Sequence, residues 1–193
     1  MAADPYVYPG TDVLENKLGI RDAQRLQLVE YQETALRTRE ALDYGERRRK
    51  LDEQCWRGIH RILFQNIYRW AGRLRTVELS KSGNMFAPVR ALSGYADRHV
   101  LPHFQTRARA AAADNIQFAE ALAECWGELN FLHPFREGNG RATQLFVTLL
   151  ARQHSRHIEW SKVDRQQEIA AAVAAGTKDY IPYRDLLIDA MTP

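Results

Sequence analysis

The sequence predicts an all-α fold, a helical bundle with one small β-hairpin, and three observations carry that expectation. Apolar residues recur at three- and four-residue steps over most of the chain, as in Cys55, Ile59, Ile62, Leu63, Ile67 and Trp70. That is the period of helices that bury one face. Only residues 76–79 and 85–87 alternate in the extended manner, around the turn-forming Lys81-Ser82-Gly83-Asn84. The length of 193 residues suits a single domain spanning 1–193 with a substantial core.

Taken in order, residues 1–20 carry Pro5, Pro9, Gly10 and Gly19 and read as irregular, with a short helical turn after Thr11. Residues 21–42 are strong helix formers with Leu26, Val29, Ala35 and Leu36 on one face. A second helix is expected over 51–70, ended by Gly72. The hairpin occupies 75–88, and because a lone two-stranded ribbon is marginal it must lean on the helices. Residues 89–111 read as helical and divided by Pro102. Asp114 or Asn115 caps the next helix, whose stripe is Phe118, Leu122, Trp126 and Leu129. A turn at 133–144 then feeds a helix marked by Ala142, Leu145, Phe146, Leu149 and Leu150. Ser161, with Asp164 three residues on, is the expected cap of an alanine-rich helix that stops at Gly176. A last helix is expected over 183–191.

Composition excludes several classes. Hydrophobic content of 45% and charged content of 26% are those of a globular protein. No apolar run approaches the roughly 20 residues of a membrane span. The first residues have neither the basic nor the apolar segment of a secretory signal. Cys55 and Cys125 stand far apart in helix-like segments, as reduced buried thiols would. Together these point to a cytoplasmic protein, or to one delivered into another cell if the chain fronts a longer effector. The net charge of +3 is mild, and the run Arg47-Arg48-Arg49-Lys50 is flanked by Asp43, Glu46, Asp52 and Glu53 without interleaved aromatics. It reads as a solvated loop, so neither direct nucleic-acid binding nor a membrane partner is expected.

The chemistry concentrates in His133-Pro134-Phe135-Arg136-Glu137-Gly138-Asn139-Gly140-Arg141. His133 is the side chain whose ordinary pKa suits a general base near neutrality. Glu137 is an oxygen ligand suited to Mg²⁺, which commonly arrives with a nucleotide. Gly138 and Gly140 allow positive φ and close approach of backbone to phosphate oxygens. Asn139 offers an amide N–H₂ to the same oxygens, and Arg141 a fork of donors to the outer phosphates. A glycine-rich turn entering a helix presents free N–H groups and the positive end of the helix dipole, a phosphate site. The plainer alternative is a helix–helix connection with Glu137 as a cap. It explains any fragment of the motif more easily than the whole of it.

These residues resemble the signature of Fic-domain proteins, His-x-Phe-x-Asp/Glu-Gly-Asn-Gly-Arg-x-x-Arg, at every specified position but the last. Tyr6-Val7-Tyr8-Pro9-Gly10-Thr11 with Asn16-Lys17-x-Gly19-Ile20 is similar to the N-terminal segment of toxin-type members. Trp70-Ala71-Gly72-x-x-Arg75-Thr76-Val77 with Met85-Phe86-Ala87 resembles their target-binding flap. The resemblance implies a Fic fold and transfer of AMP from ATP, with Mg²⁺, to a Tyr, Ser or Thr hydroxyl of a target protein. It makes His133 the base, Glu137 the metal ligand, Gly138, Asn139 and Gly140 the anion hole, and Arg141 a phosphate ligand. Lys81, Ser82, Gly83, Asn84, Met85 and Phe86 become the flap edge on which a target strand aligns. It also implies DNA gyrase and topoisomerase IV as candidate targets, and a small antitoxin that supplies an inhibitory glutamate in trans.

Gln144 stands where the family's second arginine, a γ-phosphate ligand, belongs. The loss removes a charge-assisted contact of about 1.5–3 kcal/mol. The family's inhibitory formula Ser/Thr-x-x-x-Glu-Gly/Asn is met by Thr11-Asp12-Val13-Leu14-Glu15-Asn16, but a helix-capping Thr11 explains that stretch with less machinery, so inhibition through Glu15 is not the favoured reading. Two alternatives accompany adenylylation. One is transfer of another nucleotide or a phosphoryl group, although Doc kinases carry lysine at the position of Gly140. The other is a weakened nucleotide-binding or protein-binding module with Gln144 as the first sign of decay.

Overall fold

The structure is a computed structural model and describes residues 4–81 and 84–192. Its helices are α1 (Ala23–Glu46), α2 (Glu53–Phe64), α3 (Leu101–Ala110), α4 (Asn115–Leu132), α5 (Asn139–Arg152), α6 (Arg165–Ala175) and α7 (Ile181–Ala190). β1 (Ser80–Lys81) and β2 (Asn84–Met85) pair antiparallel as the hairpin. A second ribbon joins β3 (His157–Ile158) to β4 (Met191–Thr192). No helix among the described residues is long and apolar enough to cross a membrane.

α4 and α5 form the centre. α4 buries Phe118, Leu122 and Leu129, and α5 buries Phe146, Val147 and Leu150. Each such side chain contributes about 1.5–3 kcal/mol through its removal from water. α1 and α2 pack on one side of this pair, α3, α6 and α7 on the other. The Trp56 indole sits between Phe135 of the motif turn and Phe146 of α5, with centroids 5.5 and 5.9 Å away. The motif turn is therefore fastened to the core by its own aromatic residue.

Several boundaries differ from those expected. α2 stops at Phe64 because the carbonyl of Phe64 takes the N–H groups of both Ile67 and Tyr68. The chain beyond is held instead by the N-terminal segment: Lys17 donates its N–H to Ile67 and its ammonium to Gln65. Gly72 is thus no helix cap. Its N–H donates to Nδ1 of His60 on α2.

Residues 89–111 contain a 3₁₀ turn (Val89–Ala91) and a π-helical turn (Ala96–Val100) before α3, which carries Pro102 in its first turn. α4 starts from Asp114, whose carboxylate accepts from Ile116 and Gln117. Asp164, not Ser161, caps α6, because its carboxylate accepts from both Gln166 and Gln167 and favours the positive helix end. Ser161 lies in the 3₁₀ turn Trp160–Lys162.

Thr11 starts no helix. Its hydroxyl accepts from Val13 and donates to Tyr8 in a loop closed by the Val7–Leu14 bridge. Residues 76–79 are not a ladder strand either, since the carbonyl of Val77 is taken by Arg75. Pairing reaches back only to Leu79, whose carbonyl accepts from Phe86. Ser82 and Gly83 of the expected flap lie outside the described residues.

Candidate active site

The site is the turn between α4 and α5. His133 ends α4 in the left-handed conformation (φ 43°, ψ 57°), and Pro134 then prevents continuation of the helix. Its Nδ1 lies 3.2 Å from the Asn130 carbonyl. A carbonyl only accepts, so Nδ1 carries the proton and Nε2 keeps its lone pair. Phe86 stacks on the imidazole at 3.7 Å and 12°. Burial, with Arg75 and Lys81 adding like charge, pushes the His133 pKa down to about 4. The ring is neutral at physiological pH, as a base must be.

Gly138 has φ 79°, and a Cβ there would lie 2.2 Å from the Phe64 ring. Only glycine fits. Gly140 differs from expectation: it is helical, and apart from its chain neighbours and the helix's own backbone no atom of the described residues lies within 4 Å of the place a Cβ would take. That open space sits at the start of a 14-residue helix. The Ala142 N–H returns to Gly138, whereas the N–H groups of Asn139, Gly140 and Arg141 find no acceptor among the described residues. These are the helix's orphan donors, and an anion suits them.

Asn139 takes a different part from the one expected. Its amide accepts from the Phe135 N–H at 2.8 Å and donates to the Phe135 carbonyl at 2.7 Å. The oxygen and one of the two amide N–H donors are used to close the turn, which leaves the second side-chain N–H and the backbone N–H without an acceptor among the described residues. Glu137 is half-exposed, with one carboxylate oxygen accepting from Gly138 at 2.8 Å. The other oxygen accepts no hydrogen bond among the described residues. Such a carboxylate fits a Mg²⁺ ion that brings its remaining ligands as phosphates and water.

Arg141 places one guanidinium nitrogen 2.7 Å from Glu30 of α1 and 3.5 Å from Glu137. Its other terminal nitrogen is buried without a partner. The guanidinium lies over the Phe64 ring at 4.7 Å. Glu30 is buried and also accepts from the Tyr68 hydroxyl; burial and Glu30 push that phenol's pKa up, so it stays a donor. Gln144, partly buried one turn further along α5, accepts a hydrogen bond from the Thr148 hydroxyl through its backbone carbonyl.

Lys81 and Met85 are exposed on the hairpin, Asn84 pairs with Lys81 in its ladder, and Phe86 turns inward onto His133. β1 and β2 pair only with each other, so each has an edge without a strand partner among the described residues. Glu15 is exposed and donates its backbone N–H to Tyr6; the acids within 4 Å of the Arg141 guanidinium among the described residues are Glu30 and Glu137.

Other contacts escaped sequence reasoning. His60 is fully buried between Phe135 (3.9 Å) and Phe64 (4.7 Å). With Nδ1 accepting from Gly72, its Nε2–H donates to the Glu137 carbonyl at 2.9 Å. Burial drives its pKa down to about 3. Asp4 binds Arg136 through two guanidinium nitrogens at 3.0 and 2.7 Å. The signal for His60 was faint: a histidine within an apolar helical stripe. Glu30 and Asp4 carried none.

The chain is similar to known proteins in sequence and fold. The model of the Fic/DOC family matches residues 50–151. The chain is 36% identical to the protein adenylyltransferase VbhT of Bartonella schoenbuchensis over 88% of its own length, and spans 35% of that protein. It is 33% identical to a probable protein adenylyltransferase of Sinorhizobium fredii, covering 93% of this chain and 91% of that one. The N-terminal Fic domain of a VirB-translocated Bep effector from Bartonella quintana, solved with bound ADP, superposes with a TM-score of 0.81 at 26% identity, over 97% of this chain and 94% of that one. The chain belongs to the Fic/DOC family.

Proposed function

We propose that this chain is a nucleotidyltransferase, a protein adenylyltransferase that moves AMP from ATP to a hydroxyl of a target protein. One observation carries the reading. A neutral imidazole with a free Nε2 stands at the end of α4, and five residues, Glu137 among them, lie between it and the uncovered N–H groups at the start of α5. Nε2 takes the proton of the target hydroxyl, its oxygen attacks the α-phosphorus, and the bond to the β-phosphate breaks to release pyrophosphate. The arriving phosphate charge raises the proton affinity of His133 as the hydroxyl loses its proton. The backbone donors at Asn139, Gly140 and Arg141 stabilise charge that grows on the phosphoryl oxygens. Glu137 would hold Mg²⁺, which when bound neutralises phosphate charge.

A target segment adding along the hairpin edge would present its hydroxyl beside Phe86 and His133. The ATPase subunits of gyrase and topoisomerase IV are the candidate targets. An antitoxin glutamate delivered in trans would meet the uncharged Gln144, so its grip would rest on neutral hydrogen bonds.

The test compares ATP labelled at the α- or γ-phosphate, with Mg²⁺, purified gyrase and a bacterial lysate. Label passing to protein from the α-position alone is expected. Label from both positions would mean phosphoryl transfer, and none from either would leave transfer of another nucleotide or a binding module.

Glu30 offers a second check on this reading. Glu30→Gln keeps one acceptor oxygen for Arg141, turns an N–H₂ group toward the Tyr68 hydroxyl, and removes a negative charge beside the proposed phosphate site. The affinity for AMPPNP, read by calorimetry, is expected to rise by roughly threefold to tenfold, the worth of one partly screened charge. A fall would mean that Glu30 serves mainly to aim the arginine.

A further inference from the structure

We infer that Arg75 is a positioning residue that locks the hairpin to His133, an inference resting on the reading of His133 as base and of the hairpin as the target's edge. Its side chain has 0% exposure, and every direction of its fork is used. Nε donates to the His133 carbonyl at 2.8 Å, and Nη1 donates to Val77 at 2.7 Å. Nη2 donates to Ala87 and, at 3.4 Å, to Leu132. The backbone N–H of Arg75 donates to Pro134 at 2.8 Å.

One guanidinium thus ties the outgoing arm of the hairpin (Val77), its returning arm (Ala87) and the turn that holds the imidazole. A second link runs parallel, from the Ala87 N–H to the Phe131 carbonyl. The half-exposed Glu78 stands 3.6 Å from Nη1 and is the carboxylate nearest this buried cation. Burial lowers the Arg75 pKa, so the charge persists through its carbonyl acceptors and that acid.

The arrangement serves geometry rather than bulk stability. His133 is held in a left-handed conformation that residues with a Cβ seldom adopt, and both carbonyls flanking that strain, His133 and Pro134, are gripped by Arg75. The same group fixes how far Phe86, and with it any strand added to the hairpin, stands from the imidazole. Nucleotide contacts at the start of α5 are on the other side of Phe135 in the chain and touch none of these bonds. Arg75 therefore sets the distance between target hydroxyl and base while leaving nucleotide binding alone. Lysine cannot replace it, since three donors on one nitrogen cannot reach carbonyls spread around a planar fork.

The test uses Arg75→Lys and Arg75→Gln in the full chain, with three readouts. Amide exchange is expected to quicken about tenfold or more at Phe86, Ala87 and His133 together, while amides of Phe146 to Leu150 in α5 keep their protection. The affinity for AMPPNP should hold. In steady-state transfer to the acceptor found with α-labelled ATP, kcat should fall about 10²-fold with KM for ATP unchanged, the scale of a misplacement near 1 Å. In the unaltered chain the amides of Arg75, Phe86 and Ala87 should open as one unit, which keeps the test alive if a variant fails to fold. Independent exchange of hairpin and turn, or AMPPNP affinity falling in step with kcat, would overturn the inference. Absence of any AMP transfer by the unaltered chain would instead remove the functional reading, with exchange still deciding whether the lock exists.

Discussion

His133→Ala is expected to lower AMP transfer by about 10²–10⁴-fold, the usual contribution of a positioned general base, with AMPPNP affinity preserved. The separation follows from geometry. The imidazole interacts with Asn130 and Phe86, whereas the nucleotide is proposed to sit on backbone donors of α5. His133→Asn is the stricter control, because asparagine tolerates the left-handed conformation found here and still cannot act as the base. Loss of nucleotide affinity in both variants would assign His133 to binding instead.

The pH dependence separates chemistry from folding. With a pKa near 4 set first by burial, the base of the free enzyme stays unprotonated across the neutral range, so kcat/KM should hold down to about pH 5, while kcat, read with nucleotide bound, should begin to fall at a higher pH. Stability behaves differently. His60 and His133 bind protons in the unfolded chain near the ordinary value of 6.5 but only near 3 and 4 when folded. Between those values the unfolded state holds more protons, so stability is full above about pH 6.5 and declines as pH falls below it.

Gly138→Ala is expected to cost about 2–4 kcal/mol of stability in a denaturant titration, combining left-handed strain with overpacking. The added methyl would lie 2.2 Å from a Phe64 ring in the core, and that ring also carries the Arg141 guanidinium. Nucleotide affinity should fall with it. Gly140→Ala supplies the contrast. That position is helical with open space around it, so stability should hold or rise slightly, while a methyl group intrudes where phosphate is proposed to bind. Equal loss of stability in the two variants would refute this division between a glycine that shapes the turn and one that leaves room.

How much of this was legible follows physical lines. Helix periodicity located α2, α4 and α5, whereas α1 was legible from its helix-forming residues and not from its face: Ala35 and Leu36 are exposed, and α1 buries Leu26, Glu30, Thr34, Ala41 and Gly45. The motif turn was legible because its residue types are rare in combination. Helix ends were less so: the chain just beyond Phe64 is held by Lys17, distant in sequence. The β3–β4 ribbon has two residues in each strand, too few to show a period. Asn139 was assigned to phosphate because an amide is a good donor, and nothing local revealed that Phe135 would take its oxygen and one of its two N–H donors. Glu30 and Tyr68 were invisible for the same reason: a buried acid on an otherwise ordinary helix declares itself only through its partners.

The N-terminal segment and α1 change what counts as the functional unit. Asp4 on Arg136, Glu30 on Arg141 and the Tyr6 hydroxyl accepting from Thr76 all come from outside residues 50–151. A fragment cut at those limits would keep the signature and lose the groups that orient two of its three charged side chains. It would also bare Tyr68 and Trp70, which Tyr6 and Glu30 now meet. In grafting, shuffling or tracing descent, the piece that must travel together is larger than the piece by which the family is recognised.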